Sequence, residues 1–342
     1  MKADGTIDPS TPPSWDYNAV TTCYGIPINE TPITIQGGDF HTIANEINPD
    51  KYISVSRNID ISRSNVTVKN VNHTIEQTQS YRAAYGGFFC VQYCNNVTIK
   101  DCGIQCHKSS YFTNADGAKV VLGSYEFLAT ATNNLSYVGC KQNNLFDANG
   151  KLISNGLMGT NYCRNISMID CEVARFDAHC HVYNVTIRGC TMERINLIGF
   201  GTALVEDTTI LDQYIFNLRS DYGSMFGGDV ILRNVKMTRP NTSRLAIFEG
   251  AWYNHDFGYT LYLPRTVTIE NLSVPEGSYV TPFVAMFDNY EDVTRKTLSN
   301  GKENMNVLVL PEYIKVVSNP AGTEFRANSG DIPFPDIEIV GQ

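Results

Sequence analysis

The sequence predicts an all-β fold: a single-stranded, right-handed parallel β-helix with three strands in each coil and with inserted loops. A short unit, in which an asparagine precedes an alternating strand rich in β-branched residues, starts at Asn65, Asn96, Asn134, Asn165 and Asn184. Steps of about 20 residues suit one coil of three short strands, and longer steps indicate coils that carry a loop. No helical period of useful length separates the units, which argues against βαβ units.

Weaker copies of the unit extend the pattern towards the C-terminus. They start at Asp207, Asp229 and Thr266. The intervals between successive starting positions are unequal, and the interval from Asn165 to Asn184 is the shortest, so that coil has no room for an inserted loop. We therefore predict a lead-in at residues 1–31, the β-helix at 32–275 and irregular turns that cap it at 276–342. Residues 40–47 have the pattern of a short helix over one end.

Four cysteines fall at the same position of successive units. They are Cys102, Cys140, Cys171 and Cys190. Stacking places them in one column that points inward, where cysteine acts as a small hydrophobic residue. Adjacent coils lie about 4.8 Å apart, close to the Cα separation of a disulfide, so oxidation of some pairs stays open. Their intervals are too long for a zinc knuckle.

The composition limits the class of function. The chain has 342 residues, of which 42% are hydrophobic and 18% charged, as in globular proteins. Its formal net charge of −9 argues against a nucleic-acid partner, because phosphates need a basic patch. No apolar run is long enough for a membrane span, and the N-terminus lacks the apolar segment of a signal peptide. No phosphate-binding glycine loop or EF-hand pattern occurs, so no cofactor is expected.

The densest chemistry lies in the strand predicted for residues 175–182. Its alternation places one set of side chains outward, Arg175, Asp177, His179 and His181, and the other inward, Phe176, Ala178, Cys180 and Val182. Repeat alignment places Arg194 over Arg175 and Asn196 over Asp177, and continues the outward column to Asn217 and Arg219. On the other side, residues 145–149 echo this strand and place Asp147 over Asp177. A plain turn at Asn149 and Gly150 is the alternative.

Several chemistries fit this outward face. In a lyase or epimerase, Arg175 or Arg194 would bind a uronate carboxylate, and His179 or His181 would take the adjacent proton. Asp177 would then orient the histidine. In a retaining hydrolase, Asp147 and Asp177 would form a carboxylate pair about 5 Å apart.

Two further interpretations of the outward residues of this strand stay open. Asp177, His179 and His181 have the spacing of a zinc site on one strand. A hydrogen-bonded ladder of arginine, aspartate and histidine on a solvent-facing sheet needs no function.

An aromatic segment at residues 252–259 predicts a second contact surface. Trp252 and Tyr253 can stack on sugar rings, or they can pack a loop against the β-helix. The predicted substrate-binding residues are Arg194, Asn196, Arg219, Trp252 and Tyr253.

The Asn-Val-Thr-Ile-x-x-Cys units resemble the repeats of the pectin-lyase-like superfamily of right-handed parallel β-helices, over residues 32–275. They are also similar to β-helix proteins of gut bacteria and their phages. The resemblance implies a protein that recognises a polysaccharide, as a lyase, epimerase or hydrolase acting on a cell-surface or uronate-containing glycan. The alternative that it implies is a non-catalytic phage tail appendage, a tailspike-like receptor-binding or structural protein. It further implies an extracellular or virion-associated location, and a homotrimer is one possible assembly.

A local match adds a catalytic expectation. Residues 176–179, Phe-Asp-Ala-His, resemble the Phe-Asp-Pro-His core of alginate-type C5-epimerases. In that family the aspartate and histidine belong to the catalytic group, together with a tyrosine three residues before the aspartate. Here Ala174 occupies that position, so a phenol has to come from Tyr183 or from a neighbouring turn.

Overall fold

The computed structural model describes residues 6, 19–43, 54–55, 57–76, 84–85, 87–105, 110–113, 117–122, 125–150, 152, 158–240, 242–252, 259–287, 308–327 and 335–340. Within them the only helix is a single 3-10 turn, Ser220–Tyr222. The strands are β1 Ile33–Gln36, β2 Asp39–Ile43, β3 Ser54–Val55, β4 Ile59–Ile61, β5 Val66–Lys69, β6 Asn72–Glu76, β7 Ala84–Tyr85, β8 Phe89–Gln92, β9 Asn95–Lys100, β10 Gly103–Ile104, β11 Ser110–Thr113, β12 Lys119–Leu122, β13 Phe127–Thr130, β14 Asn133–Val138, β15 Lys141–Gln142, β16 Met158–Ile169, β17 Arg175–Arg188, β18 Thr191–Met192, β19 Arg194–Leu197, β20 Gly199–Glu206, β21 Thr209–Ile210, β22 Tyr214–Leu218, β23 Phe226–Met237, β24 Arg244–Trp252, β25 Leu261–Tyr262, β26 Thr266–Ser273, β27 Tyr279–Phe287, β28 Leu308–Val309, β29 Tyr313–Ser318, β30 Glu324–Phe325 and β31 Ile337–Ile339.

The strands stack into three parallel ladders, as a β-helix with three strands per coil requires. The asparagine ladder contains β1, β5, β9, β14, the second halves of β16 and β17, β20, β23, β26, β29 and β31. The phenylalanine ladder contains β4, β8, β13, the first halves of β16 and β17, β19, β22, β24, β27 and β30. The short ladder contains β2, β6, β10, β15, β18, β21 and the end of β23. The predicted parallel β-helix is therefore confirmed.

Alternating side chains fill the space between the ladders. Phe89, Phe127, Phe176 and Phe216 have no exposed surface and form one column of the phenylalanine ladder. A buried phenylalanine contributes about 2 kcal/mol of transfer free energy, so this column is a main source of stability. Because inward side chains are fixed by this packing, the outward side chains of the same strands are held in position.

The regular register of the asparagine ladder has a local cause. Asn65, Asn96, Asn134, Asn165 and Asn184 all have left-handed backbone angles, with φ between 53° and 62°. From the second of them onward, each side-chain amide donates to the asparagine of the preceding coil, at 2.9–3.2 Å between Nδ2 and Oδ1. Asparagine tolerates this conformation better than other residues with a Cβ. The asparagines that mark the sequence repeat therefore form one column of stacked corners.

The predicted cysteine column is also confirmed. Cys102, Cys140, Cys171 and Cys190 are at most 2% exposed, and none of the nine cysteines in the described ranges forms a disulfide. Thr208 continues the column, and its hydroxyl accepts a bond from the Cys190 backbone at 3.3 Å.

The repeat assigned to Asp207 is wrong. Val185 pairs with Ala203, and Ala203 pairs in turn with Val230. The shortest coil therefore runs from Val185 to Ala203, and it follows the coil that was predicted to be the shortest. Gly201 hides this repeat, because it stands against Asn184 where a Cβ would lie 2.3 Å from the amide oxygen.

One other element differs from the prediction. The start of the predicted helix, residues 40–43, belongs to strand β2, which pairs with β6. After residue 275, the strands β27, β29 and β31 continue the ladders. The inserted loops include a hairpin of β11 and β12.

Candidate active site

The first half of β17 lies in the middle of the phenylalanine ladder. Arg175 pairs with Arg194 and Asp177 pairs with Asn196, so this part of the predicted register is confirmed. Asn196 then pairs with Asn217, which is two residues earlier than the alignment through Asp207 predicts. Arg219 is therefore not next in this column, although its side chain reaches Asp177.

The alternation predicted for residues 175–182 ends at a β-bulge. Ala178 and His181 pair with adjacent residues of β16, so His179 and Cys180 are two extra residues. His181 has a φ of 135° and is 7% exposed, whereas Cys180 is half-buried. Contrary to the prediction, His181 is therefore covered and not presented to solvent, and Cys180 is not part of the buried core. Bulges of this kind re-aim side chains and are frequent beside functional sites.

Five side chains from three segments of the chain meet at this bulge, and we call them the five-residue cluster: Tyr125, Arg175, Asp177, His179 and Arg219. The Tyr125 hydroxyl lies 3.0 Å from His179 Nδ1 and 3.4 Å from Asp177 Oδ2. Arg219 Nη1 lies 2.8 Å from Asp177 Oδ1 and 3.3 Å from His179 Nδ1. Arg175 Nη2 lies 3.5 Å from Asp177 Oδ2. Asp177 is only 1% exposed and so depends on these donors.

The proton positions in the cluster follow from its contacts. An arginine N–H can only donate, so His179 Nδ1 accepts from Arg219, and the neutral ring carries its proton on Nε2. Burial, and then the charge of Arg219, lower the pKa of His179 below its ordinary 6.5. Burial, and then the charge of Asp177, raise the pKa of Tyr125 to about 12. At neutral pH the cluster thus holds an unprotonated imidazole nitrogen beside a protonated phenol.

The two arginines of the cluster differ in their remaining donors. Arg219 donates from Nε and Nη2 to Asp221, at 3.0 and 2.5 Å, in addition to its bond with Asp177. Arg175 faces one carboxylate of the described residues, Asp177 at 3.5 Å, and its side chain is 21% exposed. Arg175 is therefore the cluster arginine that is placed to bind a ligand carboxylate.

Arg194 belongs to a separate group of side chains. Its Nη1 donates to Asp212 at 3.1 Å and to the Tyr214 hydroxyl at 2.8 Å, and its Nε donates to Asn196 at 3.3 Å. Asn217, the next residue of that column, donates to Glu249. Both predicted substrate-binding residues of this group, Arg194 and Asn196, are thus engaged within the protein.

Three other predicted site residues are not placed in the cluster by the described part of the structure. Asp147 lies in a turn with Asn149, and Asp177 pairs with Gly159, so the predicted stacking of Asp147 on Asp177 is wrong and no retaining carboxylate pair forms. Trp252 ends β24, and its side chain lies outside the described part of the structure, as does all of Tyr253.

His181 lies against Phe200, with ring centroids 5.6 Å apart, and burial lowers the pKa of His181 to about 4. Because the bulge removes it from the outward row, the predicted zinc ligand set is not assembled. The described residues contain no group of three or more histidine, cysteine, aspartate or glutamate side chains placed to hold a metal ion.

Sequence reasoning did not name Tyr125, although it expected a phenol from Tyr183 or from a neighbouring turn. The predicted phenol is not Tyr183, whose ring packs under Arg164 at 4.5 Å. Instead it comes from the segment before β13, two coils away. The signal was available, because Phe127 and Phe176 stand in one column and Tyr125 precedes Phe127 by two residues, as Ala174 precedes Phe176.

Comparisons with known proteins add no family to this picture. No protein-family model matches the chain, and no curated protein matches it significantly. Among the described residues, no helix has the length and apolar character needed to cross a membrane.

Proposed function

We propose that this protein is a polysaccharide lyase that acts on a uronate-containing glycan at the five-residue cluster. The observation that carries the proposal is the 3.0 Å contact between the Tyr125 hydroxyl and His179 Nδ1, next to Arg175. It supplies a base, an acid and a carboxylate anchor within one site. The proposal includes a place among the pectin-lyase-like proteins and a glycan outside the cell as the partner.

Residues of the cluster supply and take up every proton that the β-elimination transfers. Arg175 binds the uronate carboxylate and stabilises the charge that develops there as the C5–H bond breaks. As the sugar enters, its C5–H displaces the 3.3 Å contact of Arg219 from His179 Nδ1. That nitrogen then takes the C5 proton, and the electron pair of the C5–H bond forms the C4–C5 double bond while the C4–O bond breaks. The Tyr125 phenol gives its proton to the departing glycosidic oxygen. Its phenolate then regains a proton from the His179 imidazolium beside it, which restores the resting site.

The placement of acid and base favours elimination over epimerisation. Tyr125 and His179 touch each other, so they act from the same side of the sugar ring. Epimerisation needs a proton donor on the opposite face of C5. Elimination from one side suits a uronate whose C5 hydrogen and C4 oxygen lie on the same side, as in glucuronate and mannuronate.

The test is turnover of glucuronate- and mannuronate-containing polymers, followed by the absorbance of unsaturated ends. His179→Gln and Tyr125→Phe are each expected to lower kcat by at least about 100-fold, the usual size of a general acid or base effect. His41→Gln is the matched control, because His41 is 54% exposed and pairs with Glu76 away from the cluster. The acid limb of the wild-type rate should have its midpoint below pH 6.5, since only neutral His179 is a base.

Other outcomes identify the rival functions. New reducing ends without unsaturated ends would indicate hydrolysis. Glycan binding without turnover would contradict the lyase and support a tailspike-like receptor-binding protein.

A further inference from the structure

A preformed turn adjoins the five-residue cluster. Arg219 Nε and Nη2 hold Asp221, whose side chain is 54% exposed. The backbone N–H groups of Tyr222 and Ser224 donate to the Arg219 carbonyl at 3.2 and 2.9 Å. The turn therefore fixes an exposed carboxylate beside the cluster before any ligand arrives.

Two tyrosines flank that carboxylate. The Tyr222 ring lies 5.8 Å from the Arg219 guanidinium, and its hydroxyl lies 3.2 Å from Cys180 Sγ. Tyr259 is 37% exposed, and its hydroxyl donates to the Tyr222 carbonyl at 3.2 Å. An exposed tyrosine ring suits the apolar face of a sugar, and a carboxylate accepts bonds from sugar hydroxyl or amide groups.

The charges of this surface distinguish one sugar position from the next. Arg219 forms ion pairs with both Asp177 and Asp221, and Arg194 forms an ion pair with Asp212. Arg175 is the one of these three arginines that faces a single carboxylate among the described residues, Asp177 at 3.5 Å, so it is the place where a ligand carboxylate can bind. A second uronate beside it would meet Asp221, and two like charges at short range repel each other by about 1 kcal/mol or more.

We infer that the substrate carries, next to the reacting uronate, a sugar without a carboxylate, a hexose or an N-acetylhexosamine. Asp221, Tyr222 and Tyr259 bind this neutral sugar, and Asp221 rejects a second uronate there. The inference rests on the proposed function, from which it takes the uronate position at Arg175.

The test compares polymers that share a 4-linked glucuronate and differ in its neighbour. Hyaluronan and heparosan alternate glucuronate with N-acetylglucosamine, whereas polyglucuronate has a carboxylate on every sugar. The value of kcat/KM for hyaluronan and heparosan should be at least about tenfold higher than that for polyglucuronate, and this ratio should decrease at high salt because salt screens the repulsion. Asp221→Lys should reduce that ratio by about tenfold or more, because it turns repulsion into attraction. Tyr259→Ala should raise KM for hyaluronan.

The outcomes separate this inference from the proposed function. Equal use of all three polymers, with a ratio unchanged in Asp221→Lys, overturns the inference and leaves the lyase intact. No cleavage of these three polymers or of the mannuronate-containing polymers overturns the lyase, and affinity electrophoresis in gels that contain each glucuronate polymer then measures the charge preference alone. In those gels, equal retardation of the wild type and of Asp221→Asn, which removes the charge without adding one, also overturns the inference.

Discussion

The two halves of strand β17 follow different rules. Residues 185–188 pair without a shift with both neighbouring coils, and their side chains alternate between core and surface. Residues 175–182 contain two extra residues and carry the proposed catalytic histidine. The regular half supplies rigidity through stacking, and the irregular half uses that rigidity to hold polar groups in a fixed arrangement. The difference teaches that the polar groups of the proposed site lie where the repeat is broken.

Loss of the buried carboxylate in the bulged half should have the largest effect. We expect Asp177→Ala to lower the free energy of unfolding by about 3 kcal/mol, because Arg219 and Arg175 lose their buried partner. Urea unfolding measures it. The matched control is Asp221→Ala, which removes an exposed partner of the same arginine and should cost less than about 1 kcal/mol. If the two variants lose the same free energy of unfolding, burial of the carboxylate at the bulge does not determine its contribution to stability.

Acid should weaken the bulged half through His181. Its pKa is about 4 in the folded protein and ordinarily 6.5. Between these values the unfolded chain binds more protons, so the free energy of unfolding falls as pH falls, by up to about 3 kcal/mol. His181→Phe should lose this part of the pH dependence in urea unfolding at pH 7, 5.5 and 4.5. If the free energy of unfolding decreases with falling pH by the same amount in the wild type and in His181→Phe, His181 is not the group that causes the decrease.

In the regular half, Asn184 tests what the corner asparagines contribute. Asn184→Ala should cost about 2 kcal/mol, because it loses the bonds to Asn165 and Thr202 and leaves a Cβ at a φ of 62°. Asn184→Gly should cost about 1 kcal/mol, because glycine accepts that φ. If thermal and urea unfolding give the same loss for both, the left-handed backbone carries no cost here.

The smallest effect is expected at Cys180. Cys180→Ala should change the free energy of unfolding by less than about 1 kcal/mol, because the thiol is half-buried and its bond with Tyr222 is weak. Cys190→Ala, in the column of the regular coils, should cost more, because that site is 2% exposed and a cavity remains. The reverse order in urea unfolding would mean that Cys180 is part of the core after all.

Much of the fold was readable in the sequence because it is local and repeated. The spacing from Asn65 to Asn184 reflects an interaction between identical residues one coil apart, so the ladder appears directly as a repeat. The prediction was wrong in assigning a repeat to Asp207. The true repeat starts near Gly201, which stands where the other coils have the asparagine, and this coil is shorter than the interval that the other repeats predict. A periodic pattern cannot show which residue substitutes for its marker, because that depends on the space left by the neighbouring coil.

The sequence by itself determined the parallel β-helix, the inward cysteine column and the outward pairing of Arg175 and Asp177 with the next coil. Only the tertiary structure decided which side chains complete the site. The bulge moved His181 away and kept His179, since two extra residues change the strand's alternation without any mark in composition. Tyr125 and Arg219 reach His179 from 54 and 40 residues away. The position of Tyr125 follows from the column that Phe127 shares with Phe176, and that of Arg219 follows from the reach of its side chain. Neither is visible until the register of the ladder is known.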